Sequence, residues 1–159
     1  MERPLSAVLL FGFLLVAFFG VMALLLNASI IPFADRVFGQ HTIYAHGDMP
    51  IRVDIADTDA KRQVGLASRS VIAAGEGMLF TFEEDAKWRV WMKDMKFGID
   101  ILWLDKDGKI LDIREYVYPD SYPDVFEPKS EARYILEVIV GYTSANGIQV
   151  GNKLDLNLK

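Results

Sequence analysis

Hydrophobic and polar residues trade places in short bursts along most of this chain, after one unbroken apolar run near its start. From Leu5 to Leu26 no residue is charged and the only polar side chain is Ser6. Wound as a helix at about 1.5 Å per residue, that run reaches roughly 33 Å, enough to cross a hydrocarbon core of about 30 Å. A transmembrane anchor over residues 1–28 is expected. The run is longer than a secretory apolar region, and its small-residue cleavage sites are poor: Leu26-Asn27-Ala28 has a leucine where a small residue is wanted, and Val21-Met22-Ala23 lies inside the run. Retention is therefore expected, with secretion after cleavage as the alternative. A short N-terminal tail tends to stay inside, which places the rest of the chain outside the cytoplasm, although Arg3 and Arg36 leave the flanking charge nearly balanced.

Residues 29–50 read as a connector, with Ile30-Ile31-Pro32-Phe33 at the membrane interface and a turn at Gly47-Asp48-Met49-Pro50. Alternation resumes at Ile51–Ala56, a half-buried strand. Asp57 or Thr58 caps a helix running to about Ala67, with Ala60, Val64 and Ala67 on its apolar face and Gly65 marking close backbone packing. Met78–Phe82 is a short strand, and Glu83-Glu84-Asp85 turns in solvent. Lys87–Lys93 and Ile99–Asp105 form the apparent centre: two strands, apolar on both faces, joined by a turn at Asp94–Gly98 and holding all of Trp88, Trp91 and Trp103. Lys106-Asp107-Gly108 is a tight hairpin turn leading to a strand over Lys109–Tyr116. Val117–Ser130 is a long aromatic-rich loop, either functional or a cover over an open sheet end. A buried strand over Ala132–Val140 embeds Glu137; Tyr142–Asn146 makes one helical turn stopped by Gly147; Ile148–Leu158 supplies a last strand. About seven short strands and one short helix predict a mainly β domain over 51–159, an antiparallel sandwich or partly open barrel.

Composition narrows the chemistry. The chain has 17 Lys+Arg against 22 Asp+Glu, a net charge of −5, and no basic stripe, so nucleic acid is not an expected partner. With no cysteine, disulfides, thiolate catalysis and a lipid-modified cysteine are excluded. His41 and His46 are the only histidines; both lie in the connector, so Ser-His-Asp and the usual zinc or copper sites are not expected in the domain. Asp105-Lys106-Asp107-Gly108 starts like a calcium loop but lacks its later acidic ligands. No cofactor or metal is expected.

Several spaced motifs resemble a family. Arg62-Gln63-Val64-Gly65-Leu66 with Arg69, Gly77-Met78-Leu79-Phe80, Trp91-Met92-Lys93-Asp94 and Ile99-Asp100 are similar in order and spacing to R-x-x-G-L-M-x-R, G-M-L-F-x-F, W-M-K-N-T and P-L-D of domain-of-unknown-function family 192. Ala132–Glu137, Gly141, Gly147, Val150-Gly151 and Asp155 continue the resemblance, which covers about Ile51 to Leu158. Departures fall at Ala67, at Asp94-Met95 in place of Asn-Thr, and at Gly98, where the proline before Leu-Asp is replaced to give Gly98-Ile99-Asp100. The resemblance implies a small secreted or membrane-tethered domain of jelly-roll-like form, and no activity.

Lysine, arginine and carboxylates remain to carry function. Asp100 shares a strand face with Leu102 and Leu104, so it needs a partner: Lys93, Arg62, Arg69, or exposed loop amides. The candidate site is a polar cluster of Arg62, Arg69, Lys93, Asp94 and Asp100 walled by Trp91 and Met92, with room for an anionic or sugar-like ligand. Three functions stay open: a membrane-tethered extracytoplasmic binding module engaging an envelope glycan or protein; a glycan hydrolase using two of Asp57, Asp94, Asp100 and Glu137; and a structural accessory domain.

Overall fold

The computed structural model describes residues 41–45 and 47–158. The expected membrane anchor, most of the connector and His46 lie outside the described residues, among which no helix is long and apolar enough to cross a membrane.

The described chain is mainly β. Its strands are β1 (His41–Ala45), β2 (Met49–Ala56), β3 (Glu76–Ala86), β4 (Val90–Trp91), β5 (Ile99–Leu104), β6 (Ile110–Val117), β7 (Val125–Phe126) and β8 (Ala132–Ile139). Six build one sheet in the order β1-β2-β3-β8-β5-β6, and β4 pairs with β7 in a separate two-stranded sheet. The short helix α1 (Asp59–Val64) runs into a 3-10 turn over Gly65–Ser68, and α2 (Tyr142–Ala145) follows β8. Thr58 caps α1 as expected, its hydroxyl accepting from the Lys61 amide at 3.3 Å. Gly65 has φ 51°, and a Cβ there would lie 3.4 Å from the Phe80 ring, which is the close packing the glycine foretold.

The expectation of a wholly antiparallel sheet is corrected at one pair: β2 and β3 run parallel. A parallel pair needs a crossover connection, and α1 with its 3-10 extension supplies it. Strand β1 lies inside the stretch read as connector; its short, mixed sequence carries too little periodicity to show that Ile43 and Ala45 are core residues. Glu83-Glu84-Asp85 does not turn away but extends β3 as its exposed end. The apparent central hairpin is also corrected. β4 pairs with β7, whereas β5 lies between β6 and β8. The chain from Lys87 to Lys93 is therefore mostly loop, and Trp91 is 51% exposed rather than buried. Residues 148–158 form no continuous strand. They lie as a strap that bridges Tyr44 to Asp155 and Lys109 to Lys153, tying the sheet's two edge regions together.

Strand β5 is buried along its whole length because both sheet faces are covered. Leu102 and Leu104 join Leu79, Leu136 and Val138 in one core cluster, closed by Tyr142, Ile148, Leu154 and Leu156. Ile101 and Trp103 join Phe80 and Ile135 in the other, covered by Leu66, Ile72, Val90 and Met92. Trp103 is fully buried there and donates its indole N–H to the Trp88 carbonyl at 2.8 Å, which anchors the loop before β4 to the sheet. That second face carries the candidate site.

Candidate functional site

The site forms where the sheet's second face is incompletely covered. The register of β3 against β8 breaks between Thr81 and Ala86. At the break the Thr81 carbonyl accepts from Arg62 Nη1 at 2.7 Å, which pins α1 to the sheet. Arg62 also pairs with Asp59 at 2.6 Å and lies 5.0 Å over the Phe82 ring. Phe82 in turn stacks on Trp88, centroids 3.9 Å apart and 8° from parallel. Between this stacked wall, the segment around Gly65 and the β4 region lies a cavity of about 300 Å³, whose lining includes Phe80, Trp91, Lys93 and Met95, with Ile135 and Glu137 of β8.

Glu137 is the unusual member. It pairs across the sheet with Met78 of β3 and Ile101 of β5, and Ile135 shares its face, so apolar side chains surround it. The residue is only 5% exposed, and its carboxyl makes no hydrogen bond or ion pair among the described residues; because none of their side-chain oxygens is both sealed from solvent and unpartnered, that carboxyl keeps a narrow access to the cavity. Burial pushes its pKa up to about 8, so the group is largely protonated at neutral pH. Neither Arg62 nor Lys93 offsets that rise, although both line the same cavity. A neutral carboxyl facing a cavity presents one O–H donor and one acceptor.

The structure divides the cluster expected from the sequence. Arg62, Trp91 and Lys93 line the cavity together. Asp94 lies next door, in a depression that shares Trp91 and Lys93 with it. Its φ of 60° explains the residue type: Asn and Asp are the side chains that best tolerate this left-handed turn. Arg69 pairs with Asp54 at 2.7 Å and faces a separate, more open cavity beside α1 and His41. Met92 is not a wall of the cavity but a buried residue of the second core cluster. Asp100 does not belong to the group at all. It is fully buried and sits on the opposite sheet face from Glu137, with Leu102 and Leu104. Its Oδ1 accepts from the Tyr116 and Gly141 amides, each at 3.0 Å. Its Oδ2 accepts from the Thr143 amide at 3.0 Å and lies 2.7 Å from the Thr143 hydroxyl. Asp100 is thus a cap on loop amides, the second of its two expected partners, and no cation among the described residues pairs with it. His41, assigned to the connector, instead places Nε2 2.7 Å from the Leu156 carbonyl and helps hold the C-terminal strap.

The walls supplied by Phe80, Phe82 and Trp88, and the role of Glu137 as floor, were not assembled from the sequence. One signal was present: Glu137 is the only charge in Tyr134–Val140, and strand parity puts it on the face of Ile135.

A protein-family model matches residues 42–156, from β1 to the C-terminal strap; it is described as DUF192, uncharacterized ACR. The chain belongs to DUF192. Among solved structures, the DUF192 domain is similar to a protein of Sinorhizobium meliloti named a "putative transcription regulator", at 28% identity and a TM-score of 0.67, over 72% of this chain and 89% of that one. It also matches a protein of unknown function from Novosphingobium aromaticivorans at 23% identity and a TM-score of 0.66, over 72% and 81% of the two chains, a likeness of fold alone. Comparison with curated proteins found no match.

Proposed function

We propose that the protein is a small-ligand binding module of the cell envelope, tethered to a membrane through Leu5–Leu26 with its DUF192 domain outside the cytoplasm. One observation carries the binding reading: the Glu137 carboxyl is buried, has no protein partner among the described residues and opens into an aromatic-walled cavity. An unpaired buried carboxyl costs stability. A ligand that hydrogen-bonds it would recover part of that cost. Tethering rests on the apolar run of the sequence. The tied sheet, with its strap joining both edge regions, is best read as a partly open barrel.

The other readings fare less well. Of the four carboxylates considered for hydrolysis, Asp100 is saturated and Asp57 pairs with Lys61 at 2.6 Å. Hydrolysis narrows to Asp94 with Glu137, which line two adjoining depressions rather than one groove. A purely structural role would bury its tryptophans, and Trp91 is instead half exposed at the rim. A role in transcription regulation, the one in the Sinorhizobium relative's name, gains no support through nucleic-acid binding from a net charge of −5.

Tryptophan fluorescence tests the binding reading, since Trp88 and Trp91 line the cavity and only Trp103 does not. Full-length protein in lipid nanodiscs, titrated with a library of small metabolites, should show saturable changes that disappear in Trp91→Phe combined with Trp88→Phe. A response carried by Trp103 alone, or none, would remove the cavity as the site.

A further inference from the structure

We propose that the cavity over Glu137 receives a small organic anion built on a flat ring, with the ring against Trp88 and Trp91, its charge at Arg89 and Lys93, and an uncharged polar end at the Glu137 carboxyl. The proposal deepens the binding reading and rests on it. Size comes first: about 300 Å³ is at the small end for ligand sites and suits one or two rings rather than an extended chain. The walls come second. Phe82 and Trp88 present a flat stacked surface, and Trp91 stands half exposed at the rim.

Charge decides the class. The charged groups that line the cavity and face Glu137 are Arg62 from α1, and Arg89 and Lys93 from the β4 region; its strand neighbours Met78 and Ile101 are uncharged. Arg62 is compensated by Asp59. Arg89 and Lys93 are exposed and have no acidic partner among the described residues. Glu137 is the only acid among the described residues that line the cavity. A domain of net negative charge therefore turns two uncompensated cations and a neutral carboxyl toward one small apolar space. An organic cation would meet Arg89 and Lys93 with like charge. A neutral sugar would leave both unused. An anion satisfies them while the floor carboxyl stays protonated and donates.

The neutral floor gives the proposal a sign. Ionised Glu137 would repel an anion, so binding holds the proton on. Affinity should be flat from pH 6 to 7.5 and fall as pH rises through about 8.

Full-length protein in nanodiscs is titrated calorimetrically with three probes: 4-hydroxybenzoate, tetramethylammonium and methyl glucoside. The expected result is saturable binding of 4-hydroxybenzoate only, weakened about sevenfold at pH 8.8, where Glu137 is mostly ionised and the probe's phenol still mostly protonated, and more than tenfold in Lys93→Ala with Arg89→Ala. Glu137→Gln keeps a neutral donor and acceptor at every pH, so the affinity it retains should be the same at pH 7 and pH 8.8. Binding of tetramethylammonium that Glu137→Gln abolishes, or of the glucoside alone, overturns the anion assignment and leaves the site standing. If no probe binds while circular dichroism shows folded protein, both the assignment and the binding reading fail.

Discussion

Asp100 and Glu137 are two buried acids on opposite faces of one sheet, and their surroundings give them opposite roles. Asp100 is saturated by three backbone amides, and the Thr143 hydroxyl lies 2.7 Å from both it and Glu115, with one proton to donate to either. Asp100→Asn puts an amide where two donors already point and should cost roughly 3 kcal/mol in chemical denaturation. Arg62→Ala and Arg69→Ala touch neither oxygen and should leave that loss unchanged when combined with it. Glu137 has no such partners. Its folded pKa of about 8 lies above the ordinary 4.5, so the folded state holds a proton that the unfolded state releases. Stability contributed by that difference is complete below about pH 4.5 and is lost as pH rises to about 8. Glu137→Gln should therefore match the parent near pH 4 and exceed it at pH 9 by up to several kcal/mol. Equal stability at both pH values would mean that the carboxyl is solvated or paired. The sequence pointed to Asp100 as needing a partner, correctly, but not to which face its neighbours occupy. Residue spacing gives parity within a strand and not which loop folds over it.

Among the elements, those with strong local signals were legible. The Thr58 cap, the Asp107-Gly108 turn, the β8 run and the Gly147 stop all lie where propensity and side-chain chemistry put them. Thr58→Ala removes the one side-chain cap of α1 and should cost about 1 kcal/mol. Because α1 also forms one side of the cavity, ligand affinity should fall with it; unchanged affinity would separate helix stability from the site. Pairing between distant strands was not legible. Trp91 and Val90 read as a buried strand next to Ile99–Leu104, yet they pair with Val125 and Phe126, over thirty residues further on. Apolar composition does not distinguish a short strand laid over a sheet from a strand within it. For the same reason the long loop from Val117 to Ser130 kept two readings open until β7 was seen to pair with β4.

At the scale of the molecule, the tied sheet leaves one face sealed by the C-terminal strap and α2 and the other only partly roofed by α1 and the β4 region. The cavity lies under that partial roof, and family membership extends across the whole arrangement. Extracytoplasmic placement predicts that alkaline phosphatase fused after Lys159 is active in cells; activity of a cytoplasmic reporter alone would reverse the orientation. The binding proposal depends on the state of one carboxyl. The direct measurement is a ¹³C NMR titration of the Glu137 side chain in the full-length protein, free and saturated with 4-hydroxybenzoate. The account predicts a midpoint near pH 8 in the free protein, moved higher when the ligand is bound. A midpoint near 4.5 that the ligand does not shift would contradict it.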